Sequence, residues 1–162
     1  MKSLLLVRHA KSSWGNANLA DFDRPLNDRG HRDAPAMAKR LAAKNIDIDL
    51  YVSSTAKRAL QTAEHFMQAL EAQNNQLVLV PALYHAEVQT IYDTIKAQPN
   101  HCSTVAIFSH NPGITFMANS LGVASIDDMP TCAMFGVYAL CNAWSEFDTA
   151  EKRYWLFDYP KL

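Results

Sequence analysis

The chain has 162 residues, an ordinary length for one domain, and 49% of them are hydrophobic, which is enough to form a packed core. Lys and Arg total 15 against 16 for Asp and Glu, so the formal net charge is -1. This balance predicts neither a nucleic-acid partner nor binding to an acidic membrane surface, because both favour a basic patch. We therefore expect a single domain over residues 1–162, in which any anion site is built locally from a few converging cations and N–H groups.

Cysteine usage and hydropathy indicate a reducing compartment. The three cysteines, Cys102, Cys132 and Cys141, are odd in number and lack CxxC spacing, which argues against a disulfide framework and a cysteine-rich zinc site. The apolar N-terminal stretch is too short to span a bilayer and lacks a cleavage pattern, and no later segment reaches the ~20 apolar residues of a membrane helix. The expected localisation is cytoplasmic.

Strands alternate with helices along most of the chain. Apolar runs predict buried strands over 4–7, 48–52, 77–80 and 104–108, and helical spacing predicts helices over 34–44, 55–70, 87–97 and 114–121. The polar stretch 11–29 is expected to be a loop, and segments 133–140 and 154–157 an antiparallel hairpin. The predicted fold class is α/β: a three-layer sandwich with a mostly parallel central sheet, helices on both faces and that hairpin at the C-terminus.

Polar residues follow several of these strands directly. Arg8 and His9 come after the first strand, Arg58 lies shortly beyond the second, and His110 follows the fourth. Ligands of such sheets bind beyond the carboxyl ends of the strands, so we expect these four side chains to lie together. Arg binds two phosphate oxygens at once, and helices expected to begin near 55, 87 and 112 would add N–H groups. The set suits phosphoryl transfer, which needs mainly positioning and charge stabilisation.

In this chemistry the nucleophile is a neutral imidazole. Nearby guanidinium groups disfavour a proton on His9, and its other ring nitrogen is expected to donate to a backbone carbonyl, which would fix the tautomer. His110, if protonated, would act as a third cation. Metal binding is the rival use of two histidines, but adjacent arginines would repel a metal ion and no carboxylate neighbours either histidine. We predict no metal and no cofactor.

Three motifs in order along the chain carry a family resemblance. Residues 6–10 (LVRHA) resemble the RHG/RHA signature of the histidine phosphatase superfamily, the phosphoglycerate-mutase-like fold. Residues 53–63 (SSTAKRALQTA) look like its S-x-x-x-R-A-x-x-T-A segment, and residues 109–113 (SHNPG) are similar to the segment with its second histidine. The resemblance implies that His9 becomes phosphorylated, that Arg8, Arg58 and His110 grip the phosphate, and that no metal is needed.

Further residues look like the short phosphohistidine phosphatase branch of that family: RHAKSSW at 8–14, Asp23 with Pro25-Leu26, Arg29-Gly30 and LYHA at 83–86. The chain has no room for the long insertions of larger relatives, so an open pocket is implied. The implied partner is a phosphorylated protein, such as a histidine-containing phosphotransfer domain, or a small phosphorylated substrate.

The general acid is less defined. Relatives that cleave phosphate esters use a carboxylic acid, and Glu87 is the carboxylate in the corresponding place, although a first-turn helix residue is an equally good interpretation. Lys11, Ser12 and Arg24 are candidates to line the entrance, with a solvated loop as the plainer account. Two other functions stay open: a small-molecule phosphomonoesterase with Glu87 as acid, and a non-catalytic module that binds phosphate or a phosphoprotein.

Overall fold

The computed structural model describes residues 1–161, so the final residue of the predicted domain, at position 162, lies outside the described part. The described chain contains the following strands and helices: β1 (Lys2–Arg8), α1 (Asp28–Ala42), β2 (Leu50–Ser53), α2 (Lys57–Ala69), β3 (Leu77–Leu79), α3 (Val88–Lys96), β4 (Thr104–Ser109), α4 (Gly113–Ser120), β5 (Met134–Ala139) and β6 (Lys152–Asp158). Short 3₁₀ turns lie at Asp21–Asp23, Asn74–Gln76, Pro81–Leu83 and Trp144–Glu146.

The strands form one sheet in the order β3-β2-β4-β1-β5-β6. The pairs β2–β3, β2–β4 and β1–β4 are parallel, whereas β5 runs antiparallel to both β1 and β6. The mostly parallel sheet and the antiparallel C-terminal hairpin confirm the predicted fold class. The first strand reaches the centre of the sheet because it is apolar on both faces: Leu4, Leu5, Leu6 and Val7 are at most 1% exposed.

Each face of the sheet has its own core. Side chains such as Leu6 and Ile107 point to one face and pack with α3 and α4, for example with Ile91 and Met117. Their neighbours Val7 and Phe108 point to the other face and pack with Met37 of α1 and Phe66 of α2. The three layers therefore follow from strand alternation combined with the apolar stripes of four helices.

Helix α1 begins earlier than the sequence pattern indicated, so the predicted loop over 11–29 is too long. The side chain of Asn27 caps the helix by accepting a hydrogen bond from the Gly30 N–H at 2.9 Å. Gly30 lies so close to the segment after β1 that a Cβ atom would come within 2.2 Å of the Lys11 carbonyl oxygen. This close contact fixes the start of α1 against the residues that follow His9.

Two further findings concern cysteines and membranes. Cys102, Cys132 and Cys141 are buried free thiols. Within residues 1–161, none of the helices has the length and apolar character needed to cross a bilayer.

Candidate active site

The sheet register brings His9 and His110 together. Arg8 at the end of β1 is paired with Ser109 at the end of β4, and the His9 N–H donates to the Ser109 carbonyl at 3.1 Å. The next residue of each chain segment is therefore a histidine, and the two ring centroids lie 5.2 Å apart. Both residues are buried, with exposures of 8% for His9 and 4% for His110. Adjacent parallel strands thus create the histidine pair that the sequence predicted.

The end of β2 completes the environment of His110. The Ser54 N–H donates to the Phe108 carbonyl, which places Ser54 beside the end of β4. The Ser54 hydroxyl lies 2.8 Å from His110 Nε2 and also accepts the Ala56 N–H at 3.2 Å. Ala56 uses only one of the two lone pairs of the hydroxyl, which can therefore either donate to Nε2 or accept from a protonated Nε2, so this contact holds the ring in place without fixing its tautomer. His110 Nδ1 is buried and has no hydrogen-bond partner among the described residues.

Helix α2 brings Arg58 to the same place. Thr62, one turn further along the helix, accepts the N–H of Ala10 at 3.0 Å and donates its hydroxyl to the Arg58 carbonyl at 2.8 Å. This bridge fixes the N-terminal turn of α2 against the chain just after His9. As a result, Arg58 Nε donates to His9 Nε2 at 3.4 Å, a long hydrogen bond between two buried side chains.

His9 is held in one tautomer. Its Nδ1 donates to the Ala10 carbonyl at 2.7 Å, so the proton lies on Nδ1 and the Nε2 lone pair faces the guanidinium of Arg58. Burial lowers the pKa of His9 to about 3, and the positive charges of Arg58, Arg8 and Arg24 add to the effect, whereas the Ala10 hydrogen bond opposes it. The expected carbonyl partner and the expected neutral ring are both present, although burial outweighs the guanidinium charges as the cause.

His110 is neutral as well. Burial lowers its pKa to about 3, with further contributions from His9, Arg58 and His85. The ring is therefore not the third cation considered from the sequence.

Arg8 lies on the opposite side of the histidines from β2. Its Nη1 donates to the Met129 carbonyl at 2.8 Å and lies 3.8 Å from the carboxylate of Asp128. Asn111 donates to the same carboxylate at 2.7 Å, so the residues after β4 and the loop before β5 hold the guanidinium jointly. Arg8 Nε is buried and has no acceptor within residues 1–161, so the described chain leaves this N–H unsatisfied.

Two of the three entrance candidates belong to a buried cluster. Arg24 donates to the Ser12 hydroxyl and to the Ser13 carbonyl, and its guanidinium stacks 3.3 Å from the ring centroid of Trp14. Both Ser12 and Arg24 are buried. Lys11 is half-buried and contributes its backbone carbonyl to the loop by accepting the Asn27 N–H, and its side chain has no hydrogen bond or ion pair within the described part of the chain.

Glu87 does not enter this cluster. It is the N-cap residue of α3, where its side chain makes no capping hydrogen bond, and it is exposed. It lines a cavity of about 530 Å³ together with His110 and Phe116. Glu87 therefore lies beside the histidine pair, on the solvent side.

Sequence reasoning missed Asp21. Its carboxylate accepts hydrogen bonds from Tyr84 at 2.6 Å, Arg24 at 2.7 Å and Arg58 at 3.0 Å. The bond from Tyr84, followed by those from Arg24 and Arg58, holds the pKa of Asp21 well below its usual range. Asp21 lies in an irregular loop without hydrophobic periodicity, so only its nearness to the motif residues in three dimensions reveals it.

The geometry defines a specific class of site. A neutral imidazole, whose Nε2 lone pair accepts a long hydrogen bond from Arg58, lies among the guanidinium groups of Arg8 and Arg58 and the ring of His110. Such a set can bind a tetrahedral anion and let a ring nitrogen attack it. Among residues 1–161, no three His, Cys, Asp or Glu side chains are grouped so that they could hold a metal ion.

These features define an α/β domain in which two histidines and two arginines come together beyond the carboxyl ends of the central strands. The family model of the histidine phosphatase superfamily (branch 1) matches residues 4–87, slightly more than half of the chain. The chain belongs to this superfamily, as its motifs predicted.

Similar proteins agree with this assignment. An uncharacterised chloroplastic protein of Arabidopsis thaliana is 30% identical over 155 residues, covering 90% of this chain and 70% of the relative. The candidate phosphohistidine phosphatase SixA from Agrobacterium tumefaciens has a crystal structure with a TM-score of 0.81 and 26% identity, covering 99% of both chains. A protein histidine phosphatase SixA complexed with tungstate shares the fold, with a TM-score of 0.78, 21% identity, and coverage of 97% of this chain and 94% of that one.

Proposed function

We propose that this chain is a phosphatase that transfers a phosphoryl group from phosphohistidine on a signalling or phosphotransfer protein to His9, and then releases it to water. The observation that carries the proposal is the state of His9. Burial keeps the ring neutral, the Ala10 hydrogen bond holds its single proton on Nδ1, and the unprotonated Nε2 faces the guanidinium of Arg58.

The reaction has two steps. In the first, the other ring nitrogen of the substrate phosphohistidine is protonated from solvent, His9 Nε2 forms a bond to phosphorus, and the P–N bond of the substrate breaks with its electrons leaving on a neutral imidazole. In the second, water attacks the phosphoryl group on His9, the bond to Nε2 breaks and inorganic phosphate leaves. Arg8, Arg58 and His110 stabilise the phosphoryl oxygens in both steps.

The carboxylates around the site favour a P–N over a P–O substrate. The conjugate acid of a neutral imidazole leaving group has a pKa of about 6.5, whereas the conjugate acid of an alkoxide has a far higher pKa, so an alkoxide needs a proton from the enzyme. Asp21 is held ionised by its three donors and is unsuited to give a proton. Glu87 is exposed to solvent. A substrate whose leaving group needs little protonation fits this arrangement.

The resemblance to solved structures supports the same substrate class. The Agrobacterium tumefaciens protein at 26% identity is described as a candidate phosphohistidine phosphatase. The buried free thiols of this chain are consistent with a reducing compartment, and we place the activity in the cytoplasm. We propose that the activity needs neither a metal nor a cofactor, because the arginines and histidines themselves supply the donors to the phosphoryl oxygens.

Turnover on a phosphorylated histidine-containing phosphotransfer domain tests the proposal. The protein is incubated with this substrate in the presence of EDTA, and released inorganic phosphate is measured over time. We expect steady release that is abolished in His9→Ala and unchanged in His101→Ala, a matched removal of an exposed imidazole. Release at the uncatalysed rate, or full activity in His9→Ala, would contradict the proposal.

A small-molecule phosphomonoesterase is the second candidate, because Glu87 and His110 line the same cavity. A carboxylic acid at this place can protonate an ester oxygen if the substrate fills that cavity. Hydrolysis of p-nitrophenyl phosphate and of an alkyl phosphate distinguishes the two functions, since only the alkyl ester needs the acid. Efficient hydrolysis of the alkyl ester that depends on Glu87 would favour the esterase.

A further inference from the structure

The segment between β1 and α1 holds Arg58 through a single residue. Asp21 begins the 3₁₀ turn at Asp21–Asp23, and its backbone carbonyl accepts a hydrogen bond from Arg58 Nη1 at 2.6 Å. The carboxylate of the same residue accepts from Arg58 Nη2 at 3.0 Å. One residue thus occupies both terminal nitrogens of a guanidinium that is itself only 5% exposed.

These two bonds determine which edge of the guanidinium faces His9. The group is planar, so fixing Nη1 and Nη2 also fixes the direction of the Nε–H bond. Asp21 covers the Nη1–Nη2 edge, and Nε points to His9 Nε2 at 3.4 Å. The edge that remains for a transferring phosphoryl group therefore lies next to the attacking nitrogen.

The carboxylate is in turn held from two other directions. The Tyr84 hydroxyl donates to Oδ2 at 2.6 Å, and Arg24 Nη1 donates to Oδ1 at 2.7 Å. Tyr84 follows the 3₁₀ turn after β3, and Arg24 is buried against Ser12 and Trp14. Contacts from three parts of the chain thus fix the carboxylate that fixes Arg58.

We propose that Asp21 is a positioning residue, which orients Arg58 so that its Nε edge meets the phosphoryl group as it transfers to His9. The inference rests on the proposed function and extends it to a residue outside the three motifs. Asp21 also places a negative charge beside the anion site, which weakens binding of the ground-state phosphate. Asp21 therefore favours the transition state at some cost in the affinity for the ground-state phosphate. This difference raises kcat rather than lowering KM.

The Asp21→Asn variant tests this role. The amide keeps the size of the side chain, but it removes the charge and leaves one acceptor oxygen for the three donors Tyr84, Arg24 and Arg58, so the hold on Arg58 Nη2 is weakened while the backbone carbonyl still binds Nη1. We expect kcat on the phosphorylated phosphotransfer domain to fall about 10-fold, less than the ~100-fold loss from deleting a transition-state donor. The inhibition constant of tungstate, a tetrahedral anion, should stay the same or improve, because a competing negative charge is gone.

Two variants accompany this measurement. Asp23→Asn changes the same type of side chain in the same 3₁₀ turn, but Asp23 is exposed and its side chain has no hydrogen bond or ion pair to any described residue, so wild-type kinetics are expected. Tyr84→Phe removes one donor to Asp21 and leaves Arg58 itself unchanged, and a smaller fall in kcat in the same direction is expected. Tyr84→Phe also preserves the test if Asp21→Asn fails to fold.

The outcomes separate the inference from the proposed function. If the wild-type protein turns over, a lower kcat together with unweakened tungstate binding in Asp21→Asn supports the positioning role. An unchanged kcat in Asp21→Asn overturns the positioning role. A rise in kcat with tighter tungstate binding also overturns it, because Asp21 then only competes with phosphate for the cationic site. A loss of tungstate affinity together with a lower Tm also overturns it, because the role is then structural. Absence of turnover in the wild-type protein refutes the proposed function instead.

Discussion

The burial of His9 and its charged neighbours predict the protonation state of its ring at a given pH, whichever substrate the protein acts on. Burial and the neighbouring guanidinium groups lower the pKa of His9 to about 3. At pH 5, an imidazole with the reference pKa of about 6.5 is ~97% protonated, whereas one with a pKa of about 3 is ~1% protonated. The unprotonated nucleophile is thus about 30-fold more abundant at pH 5 than in an ordinary histidine.

Nuclear magnetic resonance on protein labelled at histidine measures this directly. The Cε1–H shift of His9, assigned by its disappearance in His9→Gln, should stay constant from pH 8 to about pH 5. The ¹⁵N shifts should show the Nδ1–H tautomer, because Nδ1 donates to the Ala10 carbonyl. The same histidine in the urea-unfolded chain serves as the reference, with a midpoint near 6.5.

The variant Arg58→Gln separates the two causes of this shift. It removes one cation next to the ring, so the pKa of His9 should rise, yet stay below about 6.5 because burial is the larger cause. A folded-state midpoint near 6.5 in the wild-type protein would refute the assignment of a neutral, buried nucleophile.

Other expected outcomes follow from the same contacts. His9 and His110 have pKa values of about 3 in the folded protein, so the unfolded chain binds more protons below pH ~6.5. The free energy of unfolding should therefore fall by about 2 kcal/mol per histidine between pH 7 and 5. Urea unfolding should show a smaller fall in the His9→Gln/His110→Gln double variant. Ser54→Ala removes the hydroxyl that holds His110 Nε2 in place and should lower kcat/KM on the phosphoprotein about tenfold; unchanged kinetics would contradict a positioning role for this contact. Glu87→Gln should leave kcat on phosphohistidine within about 2-fold of wild type, and a larger loss measured in the same phosphate-release assay would assign Glu87 as a general acid.

The positions of the central site residues could be predicted because they depend on strand ends. Arg8, His9 and His110 follow apolar runs that are too hydrophobic to be anything but buried strands, and parallel strands place their carboxyl ends at one edge of the sheet. Arg58 could be predicted because it lies in the first turn of a helix that begins directly after β2. In each case local pattern and sheet geometry agree.

The rest of the site depends on irregular segments. Asp21 and Asp128 lie in loops whose course is set by contacts with distant residues, such as Tyr84 and Asn111, and neither loop has a periodic pattern. The family resemblance included Asp23 as a motif residue without giving it a role; in the structure Asp21 faces Arg58, and Asp23 is exposed. The sequence alone does not show which of two aspartates in the same 3₁₀ turn faces Arg58.

The start of α1 predicted from the sequence is wrong for a related reason. Residues 28–33 carry few apolar side chains, so the hydrophobic pattern begins only at Ala34. The helix nevertheless starts at Asp28, because Asn27 supplies a cap and Gly30 allows close approach to the Lys11 carbonyl. Capping and close packing, rather than apolar periodicity, determine this boundary.

Trapping the covalent intermediate tests the central claim most directly. The protein is mixed with a phosphorylated phosphotransfer domain, quenched within milliseconds under alkaline conditions that preserve phosphohistidine, digested and analysed by tandem mass spectrometry. The account predicts one phosphoryl group on the peptide containing residues 1–11, located on His9 and absent from His9→Ala. Phosphate release at the full rate without any phosphorylated His9, or with the phosphoryl group on another residue, would contradict it.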